Sequence, residues 1–301
     1  MKATRLQRWL PSLVVGAGPV LIAAAIILPI ALSANAGSAD WPVHLLPLHA
    51  RNASQLAATF KNYRYTWPPA DAVPALGLRR LPTGLQALDP DLKKSLFLRA
   101  VLPLVLAANN RIRRQRAYVI HALEQAKPGS WQGRLLAIAA AYDVHAPLTQ
   151  AAARADLLRR CNVVPVALVL AQAAKESGWG TSRFALQGNN LFGVHTWDPS
   201  LGLKAARSKQ HHVLILAYTD LRASVRDYIH NLNVGHAYVA FRKLRAWQKK
   251  HDKLNVFALV SKLGSYSKLG ERYTRQLQQV IRDNHLSHLH PLNLSVNSLG
   301  R

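Results

Sequence analysis

Apolar positions along this chain recur mostly at three- and four-residue spacing, and that period predicts a protein built largely from helices. Asp89 followed by Pro90 reads as an N-cap and first helical position, and opens a helix over 91–127. Leu92, Leu96, Val101, Leu104 and Val105 line its apolar stripe, and Pro103 is expected to kink it. Shorter helices are predicted over 131–143 and 149–160, separated by His145-Ala146-Pro147. From Pro165 to Glu176 the pattern changes: the run is apolar on nearly every face, ends on a carboxylate, and stops at Gly178 and Gly180. Short β-branched and aromatic segments at 192–197 and 213–218 predict a small antiparallel hairpin. Amphipathic helices follow over 220–233, 237–251, 256–263 and 271–284, and the tail at 285–301 has no period and reads as irregular. The stretch 40–83, rich in Pro, Trp and Tyr, also lacks a sustained period and reads as a linker or a wrapping arm. The fold class is therefore α+β, predominantly helical, with one small hairpin and an N-terminal helical extension.

The N-terminus departs from this pattern. Lys2, Arg5 and Arg8 precede a charge-free apolar segment at 9–32, followed by Ala34-Asn35-Ala36. Two readings stand for 1–36: a cleaved signal peptide or an uncleaved membrane anchor. Both make the protein exported, periplasmic or attached to the cell envelope. The remaining boundaries read as an arm at 37–83, a helical extension at 84–145, a domain at 146–286 and a tail at 287–301.

Charge narrows the partners. With 39 Lys and Arg against 14 Asp and Glu the chain carries +25, which favours a polyanion. Nucleic acid has only this charge in its favour, with no recognition module and an export signal against it. Arg111, Arg113, Arg114 and Arg116 read as a solvated helix face. Cys161 stands alone, so no disulfide framework exists, and it reads as a small buried hydrophobe. No H-E-x-x-H and no phosphate-cradling Gly-rich loop is present, and no metal or cofactor is expected; His211-His212 and His288-Leu289-His290 read as exposed loop residues.

Glu176 is the candidate acid. Burial and a position at the negative end of a helix both disfavour its charge, so its carboxyl is expected to hold a proton near neutral pH. A proton held in this way is what cleavage of a glycosidic bond requires. The bland alternative is an exposed Glu paired with Lys175.

The uninterrupted pattern AQAAxESxWGxSxxAxxxNNLFG over 171–193 resembles the glucosaminidase family of peptidoglycan hydrolases, whose domains are lysozyme-like. KKSLFLRAVLPLVLAANNRIRRQR, SVRDYIHNLN and GSYSKLGERYTRQL extend the resemblance to the Bax-like subgroup over roughly 81–286. The resemblance implies a monomeric endo-β-N-acetylglucosaminidase acting on peptidoglycan glycan strands, with Glu176 as general acid. By the same resemblance Ser177, Trp179, Ser182, Asn189, Asn190 and Phe192 shape the substrate site, and Tyr266 and Tyr273 stand beside the acid or serve as ordinary core tyrosines. A second carboxylate is common in the family. Between 189 and 226 only Asp198 and Asp220 are available; Asp198 is the candidate base or water-orienting group, and Asp220 reads as a helix cap. A lytic transglycosylase on the same substrate and a non-catalytic glycan-binding protein remain as alternatives.

Overall fold

The computed structural model describes residues 43–70, 72–125, 133–204, 214–289 and 292–295. The leader at 1–36, the helix boundary around 127–131, His211, His212 and His290 lie outside these residues.

The longest element is helix α2, Pro90–Gln125, which the Asp89 carboxylate caps by accepting from the amides of Asp91 and Leu92 at 2.9 and 3.4 Å. It continues unbroken through the buried Pro103. By length and composition α2 could cross a membrane, but 78% of its most apolar window is buried inside the fold, which marks it as a core helix. It packs against α5, Val166–Ser177, and α7, Leu221–Val234, while α10, Glu271–Asp283, closes over α5 from another side. All residues of α5 except Val166 and Lys175 are buried, because its apolar side chains meet neighbours in every direction. A smaller second core joins Val119 of α2 to α3, Arg134–Ala141, α4, Ala151–Arg160, and Cys161. Burial pushes the Cys161 thiol up to about 11, as suits an inert hydrophobe.

The hairpin region is a three-stranded antiparallel sheet of β4, His195–Thr196, β5, Gly202–Leu203, and β6, Leu214–Leu216, with β6 in the centre. Two segments without a period are more ordered than the pattern implies. In 43–83, strand β1, Leu46–Leu48, pairs in parallel with β3, Leu76–Leu78, across helix α1, Ala53–Asn62. Leu56, Phe60, Leu76 and Leu78 are all buried in the main core, so of the two readings the packing fits the wrapping arm. The tail, expected to be irregular, buries Leu286 and Leu289, and its strand β7, Leu294–Ser295, pairs in parallel with β2, Val73–Pro74. The order in both segments has one cause: strands of two or three residues take it from partners far away in the chain, which leaves no local signature.

Candidate active site

Glu176 occupies the last turn of α5 and is 5% exposed. Burial raises its carboxyl above the ordinary glutamate range, opposed by a hydrogen bond from Tyr273 and by the charge of Lys175. Among the described residues no cation comes within ion-pair distance, so the exposed Glu–Lys pair is not what forms. Lys175 instead holds its ammonium 5.6 Å from the centre of the Tyr273 ring.

Behind the acid runs a chain of hydrogen bonds. The Tyr228 hydroxyl donates to Gln172 Oε1, and Gln172 Nε2 donates to the Tyr273 hydroxyl at 2.8 Å. With that acceptor position filled, the Tyr273 hydroxyl is left to donate to Glu176. Around the chain stands a layer of rings. Phe192 stacks on Tyr228 at 4.0 Å, Tyr228 meets Tyr266 edge-on at 6.3 Å, and Tyr266 stacks on Tyr273 at 5.5 Å. All three tyrosines are buried and feel the Glu176 charge, which together with desolvation raises their hydroxyl pKa values. Tyr266 is committed elsewhere: its hydroxyl donates to the Phe192 carbonyl at 2.6 Å and so anchors the loop into the sheet.

The turn after Glu176 is fixed by backbone geometry. Gly178, Trp179 and Gly180 have φ values of 58°, 57° and 80°, three successive left-handed residues that reverse the chain. At Gly180 a Cβ would lie 2.9 Å from Leu81 and 2.9 Å from Phe97, so only glycine fits there. Trp179 packs edge-on against Phe97 at 6.0 Å, with the Lys94 ammonium 5.9 Å from its ring centre. The Ser177 hydroxyl donates to the Ala173 carbonyl at 2.6 Å and accepts from the Gly180 amide at 2.9 Å, while Ser182 caps α6, Arg183–Gly188, through the Ala185 amide.

The asparagine pair works in the same supporting way. Asn190 Nδ2 donates to the carbonyls of Val194 and Leu216, and its Oδ1 accepts from the amides of Phe192 and Val194, so one side chain joins the loop to β6. Asn189 takes a left-handed φ of 51° and donates to the Tyr218 carbonyl at 2.9 Å. The structure therefore gathers Glu176, Tyr273 and Tyr266 around one point, and places Ser177, Ser182, Asn189, Asn190 and Phe192 as the frame that holds it.

Asp198 stands apart. It is exposed, accepts from the Ser200 amide and hydroxyl at 2.9 and 2.6 Å, and those bonds hold its carboxyl below the usual range. The groups acting on Glu176 do not include it. Asp220 caps α7 by accepting from the Ala223 amide at 2.8 Å. A third carboxylate, Asp227, follows Arg226 on α7; it is buried, its pKa is raised by desolvation, and it accepts from the Tyr218 hydroxyl at 2.6 Å. Gln172 was also missed, although it is the one amide inside an otherwise apolar helix, four residues before Glu176. A buried amide demands partners, and that demand was the available signal.

Residues 151–286 match the glucosaminidase family, described as mannosyl-glycoprotein endo-beta-N-acetylglucosaminidase. Over 213 residues the chain is 33% identical to the Bax protein of Escherichia coli (strain K12), covering 69% of this chain and 73% of that protein. The chain belongs to the glucosaminidase family, in its Bax-like subgroup. No solved structure matches it. The glucosaminidase match begins at α4 and ends just past α10, at Leu286, and so contains Glu176, Tyr266, Tyr273 and the three-stranded sheet. A glucosaminidase domain is that of a glycosidase, and the substrate it implies is of the peptidoglycan type.

Proposed function

We propose that the protein is an exported endo-β-N-acetylglucosaminidase that cuts peptidoglycan glycan strands, with Glu176 as the general acid. One observation carries the reading: a carboxyl at the end of a buried helix, its proton affinity raised by desolvation, with the Tyr273 hydroxyl acting on it. Held neutral, that group donates its proton to the departing glycosidic oxygen as the bond to the anomeric carbon breaks. The carboxylate left behind is received by the Tyr273 donor and the Lys175 charge, both of which favour the ionised form. The frame around Glu176 keeps water away and the acid in one position. The surplus of cations favours an acidic polymer whose peptide stems carry free carboxylates. The basic residues followed by an apolar segment at 1–36 support export, with that segment removed or kept as an anchor.

A second reading concerns the product. Asp198 and Asp220, the carboxylates of the 189–226 span, are bonded to Ser200 and to the Ala223 amide, which favours routes that need only one carboxyl: attack by the substrate's own acetamido group, direct attack by water, or the intramolecular closure of a lytic transglycosylase. The test is to incubate the full chain with purified peptidoglycan and follow new reducing ends. Glu176→Gln is expected to lower release by about 10²- to 10⁴-fold, and equal release from the variant removes Glu176 from the role. Mass spectrometry of the fragments decides between hydrolysis and an anhydro-sugar product.

A further inference from the structure

A cavity of about 680 Å³ opens at the N-terminal end of α5, and neither Glu176 nor its tyrosines line it. Twelve residues of helix, about 18 Å, separate the two ends. Its wall has two chemistries. Leu106, Val164, Val256, Phe257, Leu289 and Leu292 make an apolar floor, while Arg113 of α2 and Arg245 and Lys249 of α8, Val239–Lys250, bring three cations to the same space.

The polar neighbours of those cations are already occupied. The Asn109 side chain bonds both the carbonyl and the amide of Val164, and the Gln248 side chain bonds both the carbonyl and the amide of Asn255. Arg245 is only 4% exposed. Its guanidinium donates to the carbonyls of Arg159 and Val163 and to Asn233 Oδ1, and its Nε has no acceptor. Among the described residues no carboxylate pairs with it; Asp252, the acidic residue on the wall, makes no ion pair with any of the three cations. Burial and the neighbouring arginines hold Arg245 down to about 9, and the charges of Arg113, Arg116 and Arg245 add to desolvation in lowering Lys249. Arg245, buried and without a carboxylate partner, is the costly member of the cluster, and the exposed Arg113 and Lys249 add their charge beside it. The end of α5 adds to the positive potential: Leu168 and Val169 both bond back to the Pro165 carbonyl, which leaves the amides of Val166 and Ala167 on the cavity wall at the positive pole of the helix.

We propose that this cavity binds a small amphipathic anion, a carboxylate or phosphate on an apolar body, with its head between Arg245, Lys249 and Arg113 and its body against the apolar floor. The volume lies in the range of pockets that bury most of a small organic ligand. An anion there supplies the missing counterion, and the apolar floor excludes a bare inorganic ion from the full gain.

Calorimetric titration of the full chain tests this with hexanoate and hexyl phosphate, set against acetate, inorganic phosphate and hexanol. One-site, saturable binding of hexanoate or hexyl phosphate is expected, at least about tenfold tighter than that of the matching headless or bodiless compound. The tighter of the two identifies the head group. Lys249→Ala and Arg113→Ala, both at exposed positions, are each expected to weaken binding about tenfold, whereas Lys250→Ala, an exposed neighbour off the cavity wall, leaves it unchanged. Three results overturn the proposal: no saturable binding of either probe, equal binding of the bodiless anions, or an equal loss in Lys250→Ala, which reports diffuse surface charge.

Discussion

Gln172 donates to the Tyr273 hydroxyl at 2.8 Å from a position one helical turn before Glu176, and this bond orients the donor that reaches the acid. Because Tyr273 favours the ionised carboxylate, Tyr273→Phe raises the proton affinity of Glu176 further. The alkaline limb of kcat/KM against pH is then expected to move to higher pH, and a move to lower pH refutes the assignment. Gln172→Leu strands the buried Tyr228 hydroxyl, which loses its acceptor, and is expected to cost about 1–3 kcal/mol in urea unfolding.

Glu176 also links stability to pH. Its folded pKa lies above the ordinary value of 4.5, so the folded protein holds this proton more tightly than the unfolded chain does. The resulting stability is fully present below that ordinary value and is lost as pH rises through the folded pKa. Glu176→Gln removes the dependence. Its Tm relative to wild type is expected to rise between about pH 4 and neutrality, measured by thermal melts in matched buffers. A flat difference across that range contradicts the burial argument.

Gly180→Ala places a methyl 2.9 Å from Leu81 and Phe97 on a backbone with φ of 80°. A loss of about 1–3 kcal/mol is expected from strain alone, together with a fall in activity because the turn that fixes Glu176 shifts. Unchanged melting and unchanged kcat would show that the turn is more yielding than its contacts imply.

Asp198 spends its carboxylate on Ser200. Asp198→Asn is expected to keep glycan cleavage within about threefold of wild type, followed as reducing ends, since a general base contributes about 10² or more. A loss of that larger size would restore it as the base.

How far the sequence revealed this protein depends on how local each signal was. The helices α2, α5, α7 and α10 carry long periodic patterns, and their faces point where the pattern requires. Helix α1 is hidden by its length. Only Leu56 and Phe60 mark its apolar face, and its start is written as Asn52 and Gln55, whose side chains bond the Gln55 and Arg51 amides in reciprocal fashion. Strands β2 and β7 have two residues each and lie more than 200 positions apart, a pairing no local window contains. In the site, the burial of Glu176 was legible from the apolar helix that ends on it. That most of the surrounding motif residues spend their polar atoms on backbone was not, because a pattern of residue types does not record which hydrogen bonds are already made.

The burial of α5 on every side has a mechanical consequence. A helix enclosed by α2, α9, Val256–Val260, and α10 cannot slide or rotate without opening the core, so the acid it carries is a fixed jaw. Any adjustment to glycans of differing shape falls to the loop and three-stranded sheet that follow α6, described over 189–204 and 214–218. That loop and sheet are tied to the helices by the Tyr266 hydroxyl on the Phe192 carbonyl, the Leu191 amide on the Ser224 hydroxyl, the Tyr218 hydroxyl on Asp227 and the stack of Phe192 on Tyr228. Variation among enzymes built this way should therefore collect in the sheet and spare the helix.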